Sequence, residues 1–458
     1  MAYVKKLQIA HWRTFGEPVS FDFQFPEEGR PGPNLNIIVG RNNAGKSTVV
    51  QAFKTIAGGE ATVIVPKSDR RTEDGISLDF TLSDNKNITI TQSTSGAAHK
   101  RNGDRLERLR IVDARRPWQT STTSLNSLEP TQFWQISSGQ KSNFDERNDW
   151  TYQNSFSIFW KIASDKEKKK EFDAALKEVF PFINDWKLES DLGRYFIEYK
   201  SDADIWHSIA FTGEGLINSF VLMASLFQTA EGDTIVIDEP ELSLHPQAQR
   251  RLFNYLIKQS ARAQIIVSTH SPHFITWDSL GAGIKIFRIN PGANAKPGVI
   301  SQSTADSLRK IAISDFKNRR TFDSLSRELF FSDKIIFVEG YEDVRLIEKF
   351  ASDHNVNNLE LFGYGAGGAD NIEKWLQACR ELGIAAAVIY DKNKMVAANS
   401  ARKRYPEFLI EVFPTDDIRD KKQRTFDITG VDGMFSSAGI IKPEYEAYLL
   451  SLLQKLSS

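Results

Sequence analysis

Apolar and polar positions alternate in Tyr3-Val4-Lys5-Lys6-Leu7-Gln8-Ile9 and again in Val19-Ser20-Phe21-Asp22-Phe23, the period-two pattern of half-buried strands. The same alternation predicts strands over 76–82 and 87–92. Other segments are near-continuous apolar runs: Leu35-Asn36-Ile37-Ile38-Val39, Thr234-Ile235-Val236-Ile237, Gln264-Ile265-Ile266-Val267, Lys334-Ile335-Ile336-Phe337-Val338 and Ala385-Ala386-Ala387-Val388-Ile389-Tyr390. Such runs suit strands covered on both faces, as in parallel sheets. Helical periodicity is clear from Phe156 to Phe182, and from Asp204 onward strands alternate with helices in a mostly parallel α/β layout. Residues 119–150, rich in Ser, Thr, Gln and Asn, read as loop, and 292–310 as a hairpin or edge loop before a helical segment at 305–330. A boundary near 325–330 divides the chain into a large domain, 1–328, a smaller one, 329–435, and a helical tail, 436–458. Within the first, 145–190 is expected to form a helical insert suited to dimerisation.

Composition changes this picture little. A chain of 458 residues with 40% hydrophobic and 26% charged residues is an ordinary globular protein of two or three domains. The net charge of −1 leaves nucleic-acid contact to local patches. The single cysteine, Cys379, excludes an internal disulfide framework and suits a reducing compartment. Met1–Lys6 has no signal-peptide core, and no run of about eighteen apolar residues suggests a membrane span. A soluble, cytoplasmic protein is expected.

Directly after the strand at 35–39 comes Gly40-Arg41-Asn42-Asn43-Ala44-Gly45-Lys46-Ser47-Thr48, a phosphate-binding loop in the context its physics requires. Gly40 and Gly45 allow the tight turn that aims backbone N–H groups at phosphate oxygens. Lys46 reaches the β/γ-phosphates, and the Ser47 hydroxyl is placed to ligate Mg²⁺. ATP with Mg²⁺ is therefore the expected ligand. The strand at 234–237 ends in Asp238-Glu239, where Asp238 can hold the metal's hydration shell and Glu239 can orient or deprotonate the attacking water. A third strand, 264–268, ends in Thr269-His270-Ser271-Pro272, which places His270 where such sheets contact ligands.

Asp238-Glu239-Pro240-Glu241-Leu242-Ser243-Leu244-His245-Pro246 resembles the Walker B and D-loop of ABC-type ATPase heads. Phe211-Thr212-Gly213-Glu214-Gly215 resembles a degenerate ABC signature, with Thr212, Gly213 and Gly215 expected to cap the γ-phosphate held by a partner subunit. The head is similar to the Rad50/SMC/RecF-like branch without its long coiled coil. That resemblance implies at least a homodimer. Gln92 and Gln119 are candidates for the metal-facing glutamine of such heads.

In the second domain, Glu339-Gly340-Tyr341-Glu342-Asp343 follows one apolar strand, and 52 residues beyond Glu339 another ends in Asp391-Lys392-Asn393. Carboxylates at the ends of parallel strands can converge on a hard cation, so Glu339, Asp343, Asp391 and Asn393 form a candidate Mg²⁺ or Mn²⁺ site for phosphodiester chemistry. This resembles a TOPRIM domain. With Leu329-Phe330-Phe331-Ser332-Asp333 ahead of it, nearly the whole chain is similar to the OLD (overcoming lysogenization defect) nucleases, which join an ABC head to a carboxyl-terminal TOPRIM.

That resemblance implies a later lysine at the scissile phosphate, and Lys421 or Lys422 matches, the former 30 residues beyond Asp391. Asn393 departs from the family's Asp-x-Asp, removing one negative charge. Basic clusters at Arg115-Arg116, Lys317-Asn318-Arg319-Arg320 and Arg402-Lys403-Arg404 can bind a nucleic-acid backbone without sequence specificity, whereas Lys166–Lys170 suits a solvated helix face. The leading expectation is an ATP-regulated, metal-dependent DNA endonuclease in antiphage defence, with Glu239, His270, Glu339, Asp391 and Lys421 in the chemistry. The alternative is an ATPase sensor or scaffold whose silent TOPRIM domain controls a partner effector.

Overall fold

The computed structural model describes residues 2–27, 32–57, 75–92, 99–114 (without 105 and 107), 152–191, 194–208, 214–290, 297–314, 326–421 and 430–457. The chain forms two compact units, Met1–Phe274 with Ala282–Pro297, and Ile275–Gly281 with Gly298–Ser458. The boundary expected at 328 falls inside the second unit.

The first unit contains β1 (Val4–Ala10), β2 (Val19–Asp22), β3 (Leu35–Val39), β4 (Ile76–Leu82), β5 (Asn87–Gln92), β6 (His99–Asn102) and β7 (Leu109–Val112). It continues with β8 (Ile183–Asp191), β9 (Arg194–Ser201), β10 (Trp206–Ser208), β11 (Thr234–Asp238), β12 (Gln264–Ser268) and β13 (Lys285–Ile289). The alternating segments pair antiparallel in the order β2-β1-β4-β5-β6, with Leu7 opposite both Phe21 and Phe80. That register turns one apolar face inward, where Phe21, Phe23, Phe53, Phe80 and Phe287 make successive ring contacts.

The apolar runs form a parallel sheet in which β13, β3, β12, β11 and β7 are successive neighbours. Its registers put Ile37 beside Val267 and Asp238 beside Ser268. The carboxyl ends of β3, β11 and β12 thus share one edge, the ligand-binding edge of such sheets. The described part of 145–190 holds the helices Tyr152–Ala163 and Lys166–Val179 and then enters a second antiparallel sheet, β10-β9-β8. Phe159, Phe172, Trp186 and Phe220 interlock there through edge-on and tilted rings.

β14 (Pro297–Val299) straddles the division in sequence, and the second unit holds helix Gln302–Ser314, β15 (Lys334–Phe337), helix Tyr341–Asp353, helix Ala369–Leu382 and β16 (Ala385–Tyr390). Helix Met395–Arg404, β17 (Leu409–Val412) and helix Pro443–Ser457 complete it. The segment 292–310, read as a hairpin or edge loop, carries in its described part β14 and the start of a regular helix. The three strands β15-β16-β17 are parallel, and Leu361 bridges to Ile336 at the β15 edge. One face of the sheet meets Leu449, Leu453 and Leu456 of the last helix, together with Val344 and Ile347. Trp375 packs on Phe337 and Phe362. β15 and β16 deliver Glu339 and Asp391 side by side.

Candidate nucleotide and metal sites

At the end of β3 the chain turns through Gly40 (φ +148°), Asn43 (φ +62°) and Gly45 (φ +118°) before helix Lys46–Ala57 begins. A Cβ on Gly40 would lie 2.7 Å from the Ile289 carbonyl, and one on Gly45 would lie 2.4 Å from Thr14 Oγ1. Glycine is required at both positions by space as well as by backbone conformation. Lys46 Nζ donates to the carbonyls of Gly40 (2.8 Å) and Arg41 (3.0 Å), so its ammonium lies within the curl of the loop. Burial lowers its pKa to about 8, against the raising effect of Glu239, Asp238 and Glu241. Ala44 and Thr48 are buried, while Arg41, Asn42, Asn43 and Ser47 are exposed beside the lysine.

Opposite the loop, Asp238 closes β11 and accepts a short hydrogen bond from Ser268 Oγ. Its pKa is raised, first by burial and then by the neighbouring Glu239. Glu239 has a positive φ (+43°), its N–H donates to Ser268 O at 2.9 Å, and its Oε1 lies 3.6 Å from His270 Nε2. Burial and the Lys46 ammonium lower the His270 pKa, favouring the neutral imidazole. Glu241, within the motif that follows β11, accepts from the His270 backbone N–H at 2.6 Å. It therefore fixes the turn that presents the histidine. Gly215, in the first turn of helix Glu214–Phe227, is packed so closely that a Cβ would lie 2.2 Å from the Ser243 carbonyl. Thr212, Gly213, Gln119 and Lys422 lie outside the described residues; Gln92 lies on β5, buried in the antiparallel sheet.

In the second unit the backbone N–H of Asp391 donates to Glu339 Oε1 at 3.1 Å. Asp391 Oδ1 is shielded from water and has no hydrogen-bond partner. Its pKa is pushed up to about 8 by burial, then by the negative charges of Glu339, Asp343 and Asp417, with Lys421 opposing. Glu339 is likewise raised, chiefly by burial. Asp343 is raised to about 7, but one of its oxygens caps helix Tyr341–Asp353 by accepting from Gly340 N at 2.8 Å. Asp417 is a fourth acid, not singled out in the sequence, and it pairs with Lys421. Asn393 is exposed and donates its amide to the Asp416 carbonyl at 2.7 Å.

Among the described residues, no three acids, histidines or cysteines lie close enough to enclose a metal by themselves. An Mg²⁺ ion held by one or two carboxylates keeps several waters and needs no such cage. A buried carboxylate oxygen without a donor, surrounded by like charges, fits a divalent cation. Glu339 and Asp391 are the residues that would hold such an ion.

Residues 35–276 match the family model described as "AAA domain, putative AbiEii toxin, Type IV TA system", and residues 330–392 match "Overcoming lysogenization defect protein-like, TOPRIM domain". The chain belongs to the OLD family. An OLD nuclease of Thermus scotoductus is 26% identical over 227 residues, covering 47% of this chain and 40% of the relative. The Old nuclease of Escherichia phage P2 is 24% identical (42% and 35% covered), and the endonuclease GajA of Bacillus cereus 27% identical (32% and 25% covered). The chain thus spans well under half the length of the curated relatives it matches. Among solved structures, the Smc head domain of Pyrococcus furiosus bound to the ScpA C-terminal domain aligns with 68% of this chain and 99% of its own, at 13% identity and a TM-score of 0.42. The SMC head of Thermotoga maritima aligns with 65% and 99%, at 14% identity and a TM-score of 0.37.

In this OLD-family chain the described basic clusters are partly paired. Arg402–Arg404 forms the last turn of helix Met395–Arg404, where Arg404 pairs with Glu373 and Arg402 donates to the Ile410 carbonyl. Lys169 of the Lys166–Lys170 run pairs with Asp173 and Asp185. Arg115–Arg116 and Lys317–Arg320 lie outside the described residues. No helix among the described residues is long and apolar enough to cross a membrane.

Proposed function

We propose that this chain is an ATP-regulated, metal-dependent endonuclease that acts on DNA in antiphage defence. The observation that carries the reading is the contact of Glu339 with Asp391, one of whose oxygens is buried and unpartnered, under the charges of Asp417 and Lys421. A bound Mg²⁺ or Mn²⁺ would supply Lewis-acid activation of the phosphodiester and of water. Glu339 and Asp391 hold the cation, the Asp391 N–H fixes the Glu339 carboxylate, and Lys421 offsets negative charge at the phosphate. In the head, Lys46, Ser47 and Asp238 bind Mg·ATP. Glu239 positions the water, and neutral His270 donates to it or to the γ-phosphate. The signature around Gly213 would complete the site of a second subunit, so the working form is a homodimer or larger. Purified protein should nick plasmid DNA with Mg²⁺ or Mn²⁺ and lose that activity in Glu339→Ala and Asp391→Ala; persistent cutting by both variants contradicts the proposal.

One observation favours a second reading, an ATPase sensor whose silent TOPRIM domain restrains a partner effector. Asn393 brings no carboxylate to its position, and its amide is turned to the Asp416 carbonyl. Cleavage that appears only in Asn393→Asp supports that reading.

A further inference from the structure

Close in sequence to Glu339 stands an exposed tyrosine, stacked on a half-buried second one, that the hydrolytic chemistry does not use. Tyr341 opens the helix two residues after Glu339 and is 53% exposed. Its ring stacks on Tyr364, with centroids 5.5 Å apart and planes inclined by 29°. The loop carrying Tyr364 is fixed to the segment that carries Glu339. Ala366 N donates to Val338 O and Gly368 N to Glu339 O, each at 2.8 Å. Gly365 (φ +71°) lies so close to Gly340 that a Cβ would approach its backbone to 2.5 Å. The stacked rings are therefore held at a set position relative to the Glu339 carboxylate.

On the other metal-bearing strand, Asp391 is followed by the exposed Lys392 and Lys394, and then by Met395 and Val396, which are 42% and 86% exposed. The Lys394 charge acts on Glu339, the residue two before Tyr341, so a cation and an aromatic face both flank that carboxylate; the combination suits a single nucleic-acid strand. Phosphates meet the lysines, and bases stack on the aromatic face whatever their identity. Within a fully paired duplex no base face is free, and only the two terminal pairs expose one. We infer that Tyr341, backed by Tyr364, is a base-stacking platform that selects DNA or RNA with unpaired bases next to the carboxylate site. This rests on the phosphodiester reading for its purpose, but not for its test.

The test uses the full-length protein in Ca²⁺, so that binding is read without relying on cleavage. The probes are a single-stranded oligonucleotide carrying 2-aminopurine at successive positions and the matching blunt duplex. The parent protein is expected to bind the single strand more tightly and to quench 2-aminopurine at a confined set of positions. Tyr341→Ala is expected to lose that quench and to bind the single strand about tenfold more weakly, while Tyr341→Phe retains both. Unfolding temperatures compared across the variants separate lost stacking from lost fold, and Tyr364→Leu provides a second variant. Equal affinity and equal quenching in the parent and Tyr341→Ala overturn the platform, as does a preference of the parent for the blunt duplex. A change in sedimentation of Tyr341→Ala with oligonucleotide binding intact also overturns it, in favour of a protein contact. A quench that depends on Tyr341 in a protein that cleaves nothing with Mn²⁺ upholds the platform and removes the nuclease; cleavage unaltered in Tyr341→Ala does the reverse.

Discussion

The Asp391 backbone N–H donates to Glu339 Oε1 at 3.1 Å, so the two strand-end acids of the second unit are tied together although 52 residues separate them. Their carboxylates repel each other in a partly buried setting, which a cation would reverse. The folded state therefore binds protons at Asp391 more tightly than the unfolded chain does. A raised acid of this kind contributes fully to stability at low pH, and that contribution is lost as pH rises from roughly 4 to about 8. Metal-free protein should accordingly lose more thermal stability between pH 6 and 8.5 than Asp391→Asn does, as read by unfolding temperature in a chelator.

Adding Mg²⁺ or Mn²⁺ should reverse that loss in the wild type, because the cation displaces the proton. Saturation at a hundred times the dissociation constant stabilises by about 2.7 kcal/mol, a shift of a few degrees. The shift should be larger at pH 8.5 than at pH 6 and absent in Asp391→Asn. A metal-dependent shift of equal size in the variant removes Asp391 from the ligand set.

In the head, Lys46 has a pKa of about 8 within its loop, and triphosphate oxygens would raise it. Nucleotide binding should then take up protons near and above pH 8 but not at pH 6.5. Calorimetry in buffers of differing ionisation enthalpy measures this directly. Affinity should fall as pH rises beyond 8, and Lys46→Ala should abolish binding with the fold intact.

Glu239→Gln should retain ATP binding and slow hydrolysis by about 10²–10⁴-fold, the usual range for a lost general base. Glu241→Ala should also lower turnover, through displacement of the His270 turn, and should additionally lower the unfolding temperature. A Glu241→Ala protein with unchanged turnover and stability contradicts the positioning role.

Gly365→Ala should cost about 1–3 kcal/mol, because it forces a side chain onto a left-handed residue packed against the Gly340 backbone. The loop that bonds to Glu339 would shift with it. A weaker metal-induced shift in unfolding temperature, with the ATPase unchanged, is the expected signature.

The phosphate loop, Asp238-Glu239 and the strands at 35–39, 234–238 and 264–268 were legible in sequence because each is a local pattern with one physical solution. Glu241 and Asp417 were not singled out. Glu241 meets His270 across 29 residues, and Asp417 acts on Asp391 from a loop, so their roles arise only when the sheets assemble. The acidic run after β11 and the pair Asp416-Asp417 were the only signals available. The turn at Trp12–Phe15 was similarly silent, although Thr14 and Phe15 set the space allowed to Gly45. Asn393 could be read as a missing charge, but its bond to the Asp416 carbonyl is a property of the fold.

In the proposed function, Glu339 and Asp391 form a working metal site for DNA cleavage. Conversion of supercoiled plasmid to nicked product over a Mn²⁺ titration, for wild type and Asp391→Asn with matched folds, tests it most directly. Metal-dependent nicking is expected from the wild type and none from the variant. Equal nicking by both, or none by the wild type at any metal concentration with or without ATP, contradicts it.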